Sequence, residues 1–104
     1  MTEGNQKPRN AEENVVFIGT KPFMNYVTSV VMQFTTKGAE KVVVKARGKF
    51  ISRCVDVVEV ATKRFLKDSM DTSIDDIKIG SEQFTNKEGR NVRVSFMEIT
   101  LGKK

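Results

Sequence analysis

Two runs rich in β-branched residues, Val15-Val16-Phe17-Ile18 and Lys41 to Arg47 (KVVVKAR), each pass through a glycine into a stretch of helical periodicity. A repeat of that kind points to alternating strand and helix. The first run is continuous and stopped by Gly19, the pattern of a strand covered on both faces. Pro22 suits the first turn of a helix, where its missing N–H costs nothing. Phe23, Val27, Val30, Val31 and Phe34 then follow at helical spacing towards Gly38, a suitable C-cap.

The second run, flanked by Gly38 and Gly48, reads as strand two. Ile51, Val55, Val58, Thr62 and Phe65 recur at helical spacing after it, and Glu59 and Lys63 form a favourable i, i+4 pair, which predicts a helix from about Lys49 to Leu66. Phe50, Cys54, Val57 and Ala61 make a second stripe, so this helix carries more apolar surface than one sheet needs. A dimer interface accounts for the excess; a thick core is the alternative.

After a polar loop from Lys67 to Ser73, Ile74, Ile77 and Ile79 begin strand three. Residues Asn86 to Arg90 make a turn in which Gly89 supplies the positive φ, and strand four runs from Asn91 to about Leu101. The order β-α-β-α-β-β gives an α/β protein, more closely a two-layer α+β sandwich. Met97, Ile99 and Leu101 alternate as a core face does, whereas Glu82 to Arg93 offers few apolar anchors. The base of the β3-β4 hairpin therefore joins the sheet and its tip projects as an arm, the alternative being a hairpin lying on the domain.

Length and composition remove whole classes of function. A chain of 104 residues has room for one domain with one modest core. Residues 1–13 lack apolar periodicity and contain Gly4 and Pro8, so a flexible tail is expected ahead of a domain spanning 14–104. No apolar run approaches the ~20 residues that cross a bilayer, and the N-terminus has no signal or transit pattern; the expectation is a protein that stays in the cytoplasm, off the membrane. Cys54 is the only cysteine and histidine is absent, which excludes an intrachain disulfide, disfavours a zinc site and removes the usual general base of hydrolases. Asp68, Asp71, Asp75 and Asp76 read as a polar turn. No catalytic residue, metal or cofactor is expected.

The net charge of +5 and a pI near 9.5 suggest polyanionic partners, and the placement of the charges sharpens this. A helix N-terminus favours Asp or Glu in its first turn. Here the two strand-to-helix turns, Gly19-Thr20-Lys21-Pro22 and Arg47-Gly48-Lys49-Phe50, supply cations instead. From Lys41 to Arg53 there are five basic residues (Lys41, Lys45, Arg47, Lys49, Arg53) and no acidic one. Phosphate is the anion such helix ends suit. If both strands lie parallel in one sheet, both turns emerge at one edge and form one basic surface; the alternative is that these charges only keep the helix ends solvated. Neither turn has the spacing of a nucleotide-binding loop, so no small-molecule substrate is expected and a repeating phosphate backbone fits better. Lys87, Arg90 and Arg93 on the arm would add a second contact region.

The segments VVFIGTKPFMNYV, VVVKARGKFISRCVDVVE and EGRNVRVSFMEITL resemble the Alba family of small nucleic-acid-binding proteins of archaeal chromatin, over nearly everything from Asn14 to Lys104. The resemblance implies the fold of the initiation factor 3 C-terminal domain and a homodimer, or a heterodimer with a paralogue. It further implies association with the chromosome and binding of double-stranded DNA and RNA through a basic saddle and two β-arms. Carried over by residue, the loop lysine falls on Lys21, the basic pair on Arg47 and Lys49, the MNY segment on Asn25 and Tyr26, and the arm arginine on Arg90; Phe65 resembles an aromatic used between neighbouring dimers. Thr20 stands where many members have a first loop lysine, so any acetylation there has lost its acceptor. Other readings are an RNA-binding component of a ribonucleoprotein, and a protein-interaction dimer whose charge is incidental.

Overall fold

The computed structural model describes residues 14–104; the expected tail, residues 1–13, lies outside them. The chain runs β1 (Val15–Phe17), α1 (Phe23–Thr35), β2 (Lys41–Arg47), a helical segment, β3 (Thr72–Thr85) and β4 (Asn91–Lys103). The helical segment has three parts: a 3-10 turn (Gly48–Phe50), the α-helix α2 (Ile51–Val60) and a π-helical turn (Ala61–Leu66). The strands form one sheet in the order β1-β2-β4-β3, with β1 parallel to β2 and the other neighbours antiparallel. This is the two-layer α+β sandwich that the sequence pattern predicts.

Strand alternation decides which face the helices cover. Val42, Val44 and Ala46 are buried, while Lys41, Val43, Lys45 and Arg47 point to the opposite, open face. Ile99 and Leu101 of β4 lie on the covered side, under Tyr26, Val27, Val30 and Phe34 of α1 and Cys54, Val57 and Val58 of α2.

Two expectations are corrected. Strand β1 is covered on one face only: it is an edge strand, Val16 points into the core and Phe17 is 59% exposed on the open side. The two stripes of the second helix also exchange roles. In the first, Val55 and Phe65 are exposed and Val58 alone is fully buried, whereas Cys54, Val57 and Ala61 of the second form the buried line with Val58 and Leu66, so the surplus surface assigned to a dimer interface is core. The step from Ala61 to Leu66 is five residues, the period of the π turn that spans them. In a regular α-helix the residue four after Ala61 would turn inward, and that residue is Phe65.

Strand β3 begins at Thr72, earlier than expected, and carries a bulge between Ile74 and Asp76. The extra residue lets Ile74, Ile77 and Ile79 share one face despite their uneven spacing, opposite Leu101, Ile99 and Met97. Bulged Asp75 accepts hydrogen bonds from Lys41 Nζ at 2.8 Å and Ser73 Oγ at 2.9 Å. These bonds, Lys41 first, hold the Asp75 carboxyl below the usual carboxylate range, and the Asp75 carboxylate raises the Lys41 ammonium. For Asp75 the stabilisation is therefore present above the ordinary carboxylate range and fades as pH falls through the lowered value; exposure keeps it small.

Beyond the Arg47↔Phe96 pair, β3 is the only strand paired with β4 among the described residues, down to Thr85↔Asn91. The hairpin end is thus a two-stranded ribbon, and with it the described residues extend over 49 × 39 × 25 Å. Its turn is held by Asn86, whose Oδ1 accepts from the N–H groups of Glu88 (2.9 Å) and Arg90 (3.0 Å), and by Gly89 at φ 82°.

The π turn makes a sharp prediction. Leu66→Ala opens a cavity and is expected to cost about 2–5 kcal/mol in urea denaturation, while Phe65→Ala stays within about 0.5 kcal/mol. The reverse ranking would mean that the helix keeps regular α register to its end.

Candidate nucleic-acid interface

Because β1 and β2 are parallel, the loop after β1 and the loop after β2 leave the sheet at the same edge. The structure ties them together. Arg53, from the start of α2, donates from Nη2 to the carbonyl oxygen of Lys21 at 2.9 Å, and its guanidinium lies 5.9 Å from the centre of the Tyr26 ring. The Lys21 N–H donates to the Tyr26 hydroxyl at 2.9 Å. Neither α1 nor α2 has an acidic residue in its first turn or a side-chain cap, as the sequence indicates.

The candidate residues fall into groups. Lys21 and Lys49 are exposed in the two loops and have no carboxylate partner among the described residues; Lys49 Nζ rests 5.5 Å from the Phe50 ring centre. Asn25 is exposed beside Lys21, and both line a groove of about 520 Å³ along the outer edge of β1. Tyr26 is different: at 7% exposure it belongs to the core, so it holds the Lys21 loop rather than offering itself to a ligand. Arg53 likewise spends its guanidinium on the loop.

Lys45 and Arg47 stand on the open sheet face, and there the acid-free run of sequence meets acids from elsewhere in the chain. Arg47 Nε is 3.1 Å from Glu82 and Lys45 Nζ is 3.7 Å from Glu98. Register causes this, since Lys45 lies opposite Glu98 and Arg47 opposite Phe96, two positions along β4 from the partner of Glu82. Lys87 and Arg90 are exposed at the arm's turn, and Arg93 is exposed on its β4 strand. Phe65 is 49% exposed.

The residues around these cations carry no signal in the sequence. Phe17, Phe96, Glu82 and Glu98 are the outward members of alternating strands, and that alternation counts only once one face is known to be open. Cys54 is inert: it is fully buried, its thiol faces the Val44 carbonyl at 3.7 Å, and burial pushes it up to about 11. No helix among the described residues is long and apolar enough to cross a membrane.

Comparison with known proteins fixes the lineage. The profile of the Alba family matches residues 14–81. The DNA/RNA-binding protein Alba 1 of Archaeoglobus fulgidus is 51% identical over 92 residues, covering 88% of this chain and 98% of that one. The DNA/RNA-binding protein Alba of Methanococcus maripaludis is 44% identical over 91 residues, covering 88% and 99%. The chain belongs to the Alba family. Its architecture is similar to that of Alba from Thermoplasma volcanium, with a TM-score of 0.76 at 42% identity over 86% of this chain and 99% of that one. A more distant likeness is to ALBA1 from Trypanosoma brucei, with a TM-score of 0.60 at 25% identity over 88% and 69%. The Alba family is one of nucleic-acid-binding architectural proteins, not of enzymes.

Removing the Tyr26 hydroxyl tests the loop's dependence on the core. In Tyr26→Phe the Lys21 amide is expected to lose hydrogen-exchange protection, with a stability loss of about 0.5–1.5 kcal/mol. Unchanged protection at Lys21 would show that the loop is held by other means.

Proposed function

We propose that this protein binds double-stranded DNA without sequence preference, as a homodimer that coats, bridges or compacts the chromosome in the cytoplasm, and that it also binds RNA. The observation that carries this reading is the convergence of the Lys21 and Lys49 loops at one sheet edge with neither ammonium paired to a carboxylate among the described residues. Lysines so placed at helix starts are mildly unfavourable alone and favourable opposite phosphates. The names of the relatives from Archaeoglobus fulgidus and Methanococcus maripaludis support DNA and RNA as the source of those phosphates. Phosphate-led contact carries no base readout, which is why sequence preference is absent from the proposal. Lys87, Arg90 and Arg93 extend the cationic surface along the ribbon, whose slender form suits a groove. Thr20 leaves each protomer one loop cation short of the usual family pattern.

Dimerisation is argued from exposed apolar surface. Ile74 (48% exposed), Ile77 (53%) and Ile79 (71%) stand in a row on the covered side of the sheet, beyond the reach of the helices. Such a stripe on an edge strand is a liability in water and a natural interface between two copies. Pairing across it would set two basic edges and two arms on one particle.

Two measurements test this reading. Lys21→Ala and Lys49→Ala are expected to weaken binding to unrelated duplexes alike, each flattening the salt dependence by about 0.9 per lost phosphate contact and twice that in a symmetric dimer. Arg47→Ala, whose cation is shared with Glu82, is expected to do less; an effect confined to one DNA sequence would contradict the model. In sedimentation equilibrium the protein is expected at twice its 11.7 kDa monomer mass, and Ile79→Asp at the monomer mass. A wild-type monomer at every concentration would remove the two-edged particle.

A further inference from the structure

The open face of the sheet carries aromatic side chains that neither the core nor the cationic edge accounts for. Phe17 is 59% exposed at the end of β1. Phe96 of β4 lies opposite Gly80 of β3, and its ring leans over that glycine so closely that a Cβ there would meet Phe96 Cζ at 2.8 Å. A glycine that makes room for a ring lets the ring lie along the sheet instead of standing off it.

Phe17 joins two hollows. It lines the groove that holds Lys21 and Asn25, and it lines a shallow cleft shared with Lys45, Arg47, Phe96 and Glu98. The cleft encloses only about 80 Å³, so a ligand lies on it rather than in it. The Lys45 ammonium sits 5.4 Å from the centre of the Phe17 ring. Here the charges are balanced in pairs, Lys45 with Glu98 and Arg47 with Glu82, whereas the adjoining edge keeps Lys21 and Lys49 without a carboxylate partner among the described residues.

A neutral, aromatic, hydrogen-bonding surface beside a cationic rim does not suit the dense phosphates of a duplex. It suits a strand whose bases are free to turn away from its backbone. We propose that the open sheet face binds single-stranded nucleic acid, unpaired bases stacking on Phe17 and Phe96 while the backbone follows the Lys21 and Lys49 edge. The Glu98 and Glu82 carboxylates accept hydrogen bonds from base N–H groups, the N3–H of uracil included, and Lys45 and Arg47 donate to base carbonyls or to the phosphate between stacked bases. Stacking is tolerant of sequence because every base has a π face. Phe84, 48% exposed and placed by register on the same side of the ribbon, continues the surface towards the arm. This inference rests on the nucleic-acid reading above and adds a second kind of substrate to it.

The chain contains no tryptophan, so Phe17→Trp places a single indole on the platform. Its fluorescence is expected to be quenched saturably by an unstructured oligo(rU) of about 12 nucleotides, a length within the usual range of single-strand sites. Phe17→Leu and Phe96→Leu keep apolar bulk and remove the ring; each is expected to weaken oligo(rU) binding about fivefold or more while changing duplex DNA affinity less than about twofold. The lost part is also expected to be independent of salt, unlike that lost in Lys21→Ala. Unchanged oligo(rU) affinity in both leucine variants, equal loss on duplex and single strand, or an indole signal left unquenched by a bound strand each overturns the proposal. A shift in sedimentation mass with unchanged RNA affinity would assign the face to protein contact and overturn it as well. If the wild type binds the duplex but not oligo(rU), only this inference falls; if it binds neither, the nucleic-acid reading falls first.

Discussion

Two helices of thirteen and ten residues cannot cover a sheet whose two longest strands run to fourteen and thirteen. At about 1.5 Å per residue α1 spans about 20 Å, whereas β3 at about 3.3 Å per residue spans about 46 Å. Everything beyond the helices must find another use for its surface. The central pair β2 and β4 is covered and supplies the core. Strand β3, outermost in the order β1-β2-β4-β3, keeps its isoleucines in the open, and the ends of β3 and β4 run on as a ribbon with no third strand. The proposed dimer face and the arm are thus two results of one mismatch in length.

The same geometry sorts the positive charge. A net charge of +5 does not say which cations are available to a partner. Strand pairing brings Asp75, Glu98 and Glu82 alongside Lys41, Lys45 and Arg47, each cation facing an acid that the chain supplies tens of residues later. The loop lysines Lys21 and Lys49 lie outside the strand register and meet no such acid among the described residues. Ion pairs at such exposure add little to stability, but they change the electrostatic character of the face they occupy. What remains is a cationic edge beside a nearly neutral face, a distinction that uniform basicity would not provide.

Much of the fold was legible in the chain because it was written in local periodicity. Strand β2 was bounded correctly by the β-branched run between Gly38 and Gly48, and Gly89 marked the hairpin turn through its positive φ. What escaped was set by neighbours distant in sequence. Val15 to Ile18 looks buried on both sides until the helices are known to cover one face of the sheet only. Ile74, Ile77 and Ile79 look irregular until the bulge at Asp75 restores their common face. Of the candidate site, the convergence of the Lys21 and Lys49 loops was legible, because backbone topology fixed it. It was misread where packing intervened: Tyr26, grouped with the surface residues, is a core residue whose hydroxyl anchors the loop.

The second helix carries this point into the choice of surface. Phe65 and Leu66 are adjacent and both apolar, and α-helical periodicity sends the first of them inward. The π turn adds one residue to the cycle, so Leu66 is buried and Phe65 is left 49% exposed. A π turn spends favourable helical hydrogen-bond geometry, and such turns cluster where a side chain is wanted in a place regular helix would not put it. Leucine fills the interior without stacking geometry to satisfy, whereas phenylalanine brings a broad aromatic face to whatever approaches from solvent. A ring displayed at the cost of a helical irregularity is hard to explain as core packing, since regular register with a smaller residue at 65 would have closed the core more simply. The position resembling the family's aromatic between neighbouring dimers is therefore also the one where the backbone departs from its regular form to present a side chain.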